Sequence, residues 1–489
     1  MALFESILTL LLLAIVLLQV SRRLGIPYPT MLAAAGLCVA ALPWAPEITL
    51  DPHLVLVLFI APAILDAAYD FPVRAIKRYW IALFALAVVA VIVTTAAVAW
   101  VGVALAGLPI AAAVALGAIV SPPDAAAAVA MLNRPSVPRT TATVLKGESL
   151  LNDATALMIF GVSLRLAHTD ATVGTVLPQL ALAVPGGILL GIVAGRIGGW
   201  AVPYLAGTLG SILFQFTVTF GVWLIADRLG LSAILAVVAT AMTAAQFTGS
   251  ASARDRLHTN SIWSVAVFML NVLAFLFVGL QARAIVRELD PMELRHAMAF
   301  SFVVLAVVIV VRIVLVMTFN RTIQPLYRRL GYGPGPTIKQ GILASWCGMR
   351  GMVTLAAALA LPQDFPQRGL IVLASLTVVL GTLVIQGLTL EPLVRLLRFP
   401  KDTSQHEETL LARATLADIA ARAHAESESI DPHDDPALRL AMVQRQREAL
   451  GNLYREARIE EDVFRAIEQE LDLEEVAATR DQPFNLVDA

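Results

Sequence analysis

The chain is short of charge. Asp, Glu, Lys and Arg supply 15% of its 489 residues, against about 25% in soluble globular proteins. A soluble chain this long would fold as several domains with polar surfaces, and there are too few charges to cover them. Disorder is excluded by the same composition, which is 58% hydrophobic with a mean hydropathy of +0.77. Cysteine is limited to Cys38 and Cys347. Both lie in apolar runs and suggest neither a disulfide framework nor a zinc site. No Gly-x4-Gly-Lys-Ser/Thr loop and no His-Glu-x-x-His pattern occurs, which argues against a nucleotide-driven motor or a zinc enzyme of those types. No resident cofactor is expected. What the chain has is apolar sequence in runs of about 18–25 residues, the length that crosses a bilayer as a helix. It reads as an all-α polytopic membrane protein.

The runs divide into about thirteen spans, at roughly 4–20, 27–43, 53–69, 80–106, 109–131, 141–166, 175–203, 207–226, 231–247, 261–283, 297–319, 337–360 and 369–397. Glu5 precedes the first run and Arg22-Arg23 follow it, the reverse of a cleaved secretory leader, so this run is read as span 1. Loops after odd-numbered spans hold Arg22, Arg23, Arg74, Lys77, Arg78, Arg134, Arg139, Arg254, Arg256, Arg321, Arg328 and Arg329. Loops after even-numbered spans hold almost none. The positive-inside bias then predicts a multi-pass protein of the cell (inner) membrane, with its N-terminus outside and its C-terminus in the cytoplasm.

Two spans are interrupted at matching places. Span 5 carries Ser121-Pro122-Pro123-Asp124 at its middle, where tandem prolines remove backbone donors and clash with the preceding turn. Span 12 carries Gly348-Met349-Arg350-Gly351 at its middle. With span 7 as connector, both are the fifth element of a six-span half. Paired interruptions of this kind point to a transporter of two inverted-topology repeats.

Charges inside the spans are few: Asp66, Asp124, Glu148, Asp153, Arg312 and Arg350. Each is costly in hydrocarbon and is therefore a candidate functional residue. In span 6, Ser149, Asn152 and Asp153 stand at i, i+3 and i+4 on one helix face, with Glu148 alongside. A hydroxyl, an amide and a carboxylate are hard oxygen ligands suited to an alkali cation, not to a transition metal. A carboxylate withdrawn from water can hold a proton or a metal cation near neutral pH, but not both well. An acid that swaps the two, opened in turn to each side, is an antiporter, and Asp153 is the candidate for that acid. Glu148 and Arg312 fit a structural pair best. A cation channel or a cation-coupled solute symporter using the same acids is the alternative.

The segments Glu148-Ser-Leu-Leu-Asn-Asp153, Ile64-Leu-Asp66-Ala-Ala-Tyr69 and Gly348-Met-Arg350-Gly resemble the sodium/proton exchanger family, the electroneutral branch of the monovalent cation:proton antiporters. The match covers residues 1 to about 400. The resemblance implies spans 5 and 12 crossing at their breaks, a core (spans 3–6 and 10–13 by repeat analogy) moving against a dimer domain, and a homodimer. It implies Na+, or Li+ or K+, exchanged for H+ at Asp153. Asn152 would hold the unwound part of span 5, its neutrality giving one-for-one exchange. Ser149, Asp66 and the Pro123 carbonyl would be ligands or near-ligands. Asp124 would cap a broken end in span 5, Glu148 would pair with Arg312, and Arg350 would stabilise the half-helix ends of span 12. Many members have Asp followed by Pro at the span-5 break, where this chain has Pro122-Pro123 before Asp124.

Residues 401–489 form a separate acidic, helical tail, with 21 acidic against 10 basic residues, while residues 1–400 carry the positive balance. Val443, Leu450, Ala457, Phe464 and Leu471 recur every seven residues with Leu453 and Ile467 between, a partial seam for packing on itself, on a dimer mate or on the membrane domain. A polar linker is expected over 427–436. The acidity argues against binding nucleic acid or anionic lipid.

Overall fold

A computed structural model describes residues 2–24, 26–40, 54, 56–124, 137–168, 173–205, 210–250, 252–287, 291–329, 335–400, 402–426 and 436–478. The second half of span 5, Arg134 and most of the tail linker lie outside the described residues.

The described chain is helical throughout. Helices α1 (Ala2–Leu24) and α2 (Tyr28–Ala40) come first, then α3 (Ala61–Tyr69), entered through a π-helical turn at Leu56–Ile60. Span 4 is α4 (Val73–Phe84) and α5 (Ala90–Ala106), joined by a second π turn at Ala85–Val89. There follow α6 (Ile110–Val120), α7 (Arg139–His168), α8 (Val173–Leu205), α9 (Gly210–Arg228), α10 (Ala233–Ala244), α11 (Ala253–Arg287) and α12 (Pro291–Arg329). Span 12 is two short helices, α13 (Ile338–Trp346) and α14 (Met352–Leu359), and span 13 is α15 (Arg368–Leu397). Among the described residues, seven helical stretches are long and apolar enough to cross a membrane, including Val73–Ala106, Arg139–Ala167 and Arg368–Leu397. The others among the described spans are shorter or broken.

Local chemistry sets these ends. Helix α6 stops at Val120 because Pro122 and Pro123 have no N–H to continue the ladder. Helix α13 starts on a capping box, Thr337 and Gln340 each bonding the other's backbone. The π turns have no counterpart in the sequence reading. The first precedes Pro62, whose missing donor disturbs the regular ladder; the second packs on α7.

Helix α5 packs on α6 and α12, α6 on α7, and α12 on α15. Helix α8 packs on α10 and α10 on α3, while α2 packs on α11, where Gly36 and Gly279 let the two backbones touch, and both α2 and α11 also meet α15. Two apolar cores result. One joins α5, α6, α12 and α15 with Leu32 of α2 and Phe275 of α11; the other is built on α3 and α10. Helix α7 feeds both, with Leu145 and Phe160 in the first and Leu150 and Ala154 in the second. Helix α14 is likewise divided, with Leu355 and Ala358 in the first and Met352 and Ala356 in the second. These two helices therefore lie on the seam between the cores.

The tail is a bundle of α16 (Ser404–Glu426), α17 (Pro436–Arg455) and α18 (Glu461–Ala478) around Ala412, Leu416, Val443, Leu450, Leu453, Val463, Ile467 and Leu471. The seven-residue seam is interrupted where Ala457 adopts positive φ, +56°, so its two halves fold on each other. Burial raises the carboxyl pKa of Glu468 on α18, even with Arg256, Arg447 and Arg465 nearby. The folded state then holds that proton more tightly than the unfolded chain, so ionisation costs stability near neutral pH and the cost fades as pH falls. Glu468→Gln should raise the tail's thermal midpoint at pH 7 by about a few degrees, with the gain shrinking in acid. A lower midpoint in calorimetry would contradict this.

Candidate functional site

The two interruptions meet. The Asp124 backbone N–H, just past the prolines, donates to the Met349 carbonyl at 2.7 Å. Each peptide group lacks a partner in its own broken helix and finds one in the other. The Asp124 carboxylate lies against Gly351, the N-cap of α14, where any Cβ would collide with it. Glycine is required there by space, and the acid sits where the helix dipole favours negative charge. The half-helix that Asp124 was expected to cap in span 5 lies outside the described residues.

Each break is held by a polar side chain from the next span. From α7, Asn152 donates its Nδ2 to the Pro123 carbonyl at 2.8 Å. From α15, Thr382 accepts the Arg350 backbone N–H on its Oγ1 at 3.0 Å while its hydroxyl bonds back to its own helix. The Arg350 side chain is 1% exposed. Its Nε donates to the Val120 carbonyl at 2.9 Å and its Nη1 to the Gly348 carbonyl. It thus neutralises the negative ends of both half-helices, not that of span 12 alone.

Glu148 and Arg312 form a bidentate pair at 2.6 and 3.1 Å, both buried, with Arg312 also donating to the Ala344 carbonyl at 3.0 Å. A small cavity beside this pair is lined by Ser121, Pro123, Glu148, Arg312 and Arg350 among others.

Asp153 stands apart from these ion pairs. It is 8% exposed, and among the described residues no basic side chain pairs with it. The charged side chain within its electrostatic reach is another acid, Asp124. One residue back, the Asn152 Oδ1 is buried and takes no hydrogen bond. Ser149 is half-buried on the same helix, and Asp66 half-buried on α3, whose apolar face shares a core with Leu150 and Ala154. Asp153, Asn152 and Ser149 thus share α7, with Asp124 within reach of Asp153, at the seam between the two apolar cores.

Residue pattern alone points to the acids, the amide and both breaks. It does not point to Thr382 or to the carbonyls of Val120 and Met349. A signal for Thr382 is present, a hydroxyl in the middle of an apolar span one element after a break.

The family profile described as "Sodium/hydrogen exchanger, transmembrane" matches residues 7–396. The chain is similar to an uncharacterised Na+/H+ exchanger of Mycobacterium tuberculosis, 29% identical with 93% of this chain and 92% of that one covered. It is 28% identical to a sodium, potassium, lithium and rubidium/H+ antiporter of Bacillus pumilus, over 88% of this chain and 66% of that one. Among solved structures, the sodium proton antiporter of Methanocaldococcus jannaschii at pH 8 superposes with a TM-score of 0.63 at 17% identity, covering 81% of this chain and 99% of that one.

Proposed function

We propose that this chain, which belongs to the sodium/hydrogen exchanger family, is a secondary antiporter that exchanges one monovalent cation for one H+ at Asp153 by alternating access. The observation that carries the site assignment is a buried carboxylate with no cationic partner among the described residues. A lone charge in such a place must be neutralised, and a proton or an alkali cation can each do so. The orphaned Asn152 Oδ1 faces the same need from the other direction, since it is a buried acceptor without a donor. Ser149, Asp66 and the free lone pair of the Pro123 carbonyl complete a hard-oxygen set for Na+, with Li+ and K+ as competing cargo. Glu148, Arg312, Arg350 and Asp124 are structural in this reading: they hold the crossed breaks and carry no cargo.

Alternating access needs two bodies. The moving body is the core expected by repeat analogy, spans 3–6 and 10–13, which includes α7, both breaks and α15. The inverted repeat is supported by the shared device of a side chain from span 6 or 13 pinning the break in span 5 or 12. The remaining helices would form the scaffold of a homodimer in the plasma membrane, with the N-terminus outside and the tail cytoplasmic, and the exchange would serve pH homeostasis.

Asn152 is neutral, and in this reading Asp153 alone exchanges its cargo while Asp66 serves as a ligand of unchanging charge. Loaded with one Na+ or one H+ the site has the same net charge, and the cycle moves none. An electrogenic cycle would gain about 2.3 kcal/mol of driving force per charge for each 100 mV. In proteoliposomes under an imposed pH gradient, Na+ addition should dissipate the gradient at a rate changed less than about twofold by 100 mV of either sign. A strongly voltage-dependent rate would refute one-for-one exchange.

A further inference from the structure

A buried hydroxyl beside the crossing is left without a partner. Thr354 is 1% exposed, and its Oγ1 makes no hydrogen bond among the described residues. Threonines inside membrane helices commonly return the hydroxyl to the carbonyl four residues back. Thr219, Thr240 and Thr377 do so at 2.7, 2.7 and 2.8 Å. Thr354 stands in the first turn of α14, and the carbonyl four residues back belongs to Arg350. Between them lies Gly351, whose backbone at φ −127° and ψ −149° is not helical. The break in span 12 therefore strands this hydroxyl. A buried hydroxyl without a bond costs free energy, and valine would occupy nearly the same space without that cost.

The elements around Thr354 are those of the exchange site. Helix α14 begins at Gly351, against the Asp124 carboxylate, and Asp124 is the charged side chain within reach of Asp153. Helix α14 packs on α6, which ends at the other break, and on the π turn that leads into α3, the helix of Asp66. Met352 and Ala356 share the second core with Leu150 and Ala154, which stand on either side of Asn152 and Asp153 on α7. Thr95 and Gln386 also carry unpartnered oxygens, but within the uninterrupted helices α5 and α15. A helix N-terminus alone repels a cation. Here the Asp124 carboxylate offsets that field, so an oxygen in the first turn of α14 can accept one.

We infer that Thr354 is a specificity-determining ligand of the cargo site, its hydroxyl oxygen joining the Asn152 Oδ1 and the Asp153 carboxylate around the alkali cation. The inference rests on the antiporter reading above and adds a residue to it. A hydroxyl is a hard oxygen ligand without charge, so it strengthens cation binding and leaves the one-for-one count as it is. With H+ on Asp153 no metal needs the oxygen, so its loss weighs on the metal and not on the proton. Threonine is stiff at χ1. The oxygen therefore holds its distance, and its removal falls unequally on Li+, Na+ and K+.

The test uses the full-length protein. Thr354→Val and Thr354→Ala remove the oxygen, and Thr354→Ser keeps it. In choline buffer without alkali cation, Thr354→Val should melt at or above the wild-type temperature, because the stranded hydroxyl is gone. Na+ should raise the wild-type midpoint, and the same rise should take at least about tenfold more Na+ in Thr354→Val and Thr354→Ala, with Thr354→Ser within about threefold of wild type. The half-saturating Na+ for exchange in proteoliposomes should rise by the same factor, and the order or spacing of Li+, Na+ and K+ should change. Val and Ala variants that need no more Na+ than wild type, by melt and by exchange, overturn the assignment. An equal loss in Thr354→Ser overturns it too, since that would trace the effect to packing and not to the oxygen. A wild-type protein that exchanges no cation would instead defeat the antiporter reading.

Discussion

Asp153→Asn should reduce Na+-driven dissipation of a pH gradient to the leak of empty liposomes, in protein that still folds. The substitution keeps shape and hydrogen-bonding capacity and removes the charge. In the native chain that carboxylate has no cationic partner among the described residues and faces Asp124. Its charge therefore costs free energy unless cargo discharges it. The amide has nothing to discharge and gives up no proton when Na+ arrives, so both half-cycles stop. Because no salt bridge is broken, folding should be spared, and the thermal midpoint should be equal to or above wild type. Exchange that survives the substitution would show that another acid carries the cargo, and Asp66 would be the next to test.

Glu148→Ala should do the opposite, damaging the fold more than the ion affinity. Glu148 and Arg312 are 1% and 5% exposed and bonded through the two terminal guanidinium nitrogens of Arg312. Removing one partner leaves the other charge buried and unpaired, which costs about 3–5 kcal/mol. Arg312 also packs beside Gly348 and bonds the Ala344 carbonyl, at the break of span 12, so its disorder would spread to the crossing. Replacing both by apolar residues of similar size, as in Glu148→Met with Arg312→Leu, should recover part of the loss but not the bond to Ala344. A thermal melt in detergent reads this without any transport. A well-folded Glu148→Ala protein with altered cation affinity would place Glu148 among the ligands instead.

These residues are legible in the sequence because a charge in an apolar span is rare and costly, and because proline and glycine act on the backbone locally. Asp153, Asn152, the Glu148–Arg312 pair and both breaks stand out on those grounds. The π turn at Ala85–Val89 does not, since Ala-Leu-Ala-Val-Val contains nothing to mark it. Thr382 is hidden by ordinary behaviour. Its hydroxyl bonds to its own helix, as those of Ser375 and Thr377 do, and its second bond to Arg350 appears only in three dimensions. The docking of the tail on the membrane helices, where Asp472 of α18 pairs with Arg256 of α11, is illegible for the same reason. Asp472 and Arg256 are 216 residues apart, and a charged helix reads as solvated until its partner is placed. The seven-residue seam is visible, but the reversal at Ala457 is not, since alanine carries no signal for positive φ.

The central claim is that one carboxyl group holds Na+ and H+ in turn. Counting the protons released when purified protein binds Na+ tests it directly. The account predicts one proton per Na+ bound, with the apparent Na+ affinity weakening about tenfold per unit of pH in the range where the site is protonated, and no release from Asp153→Asn. Na+ binding to wild type without proton release, or an unchanged release from Asp153→Asn, would contradict it.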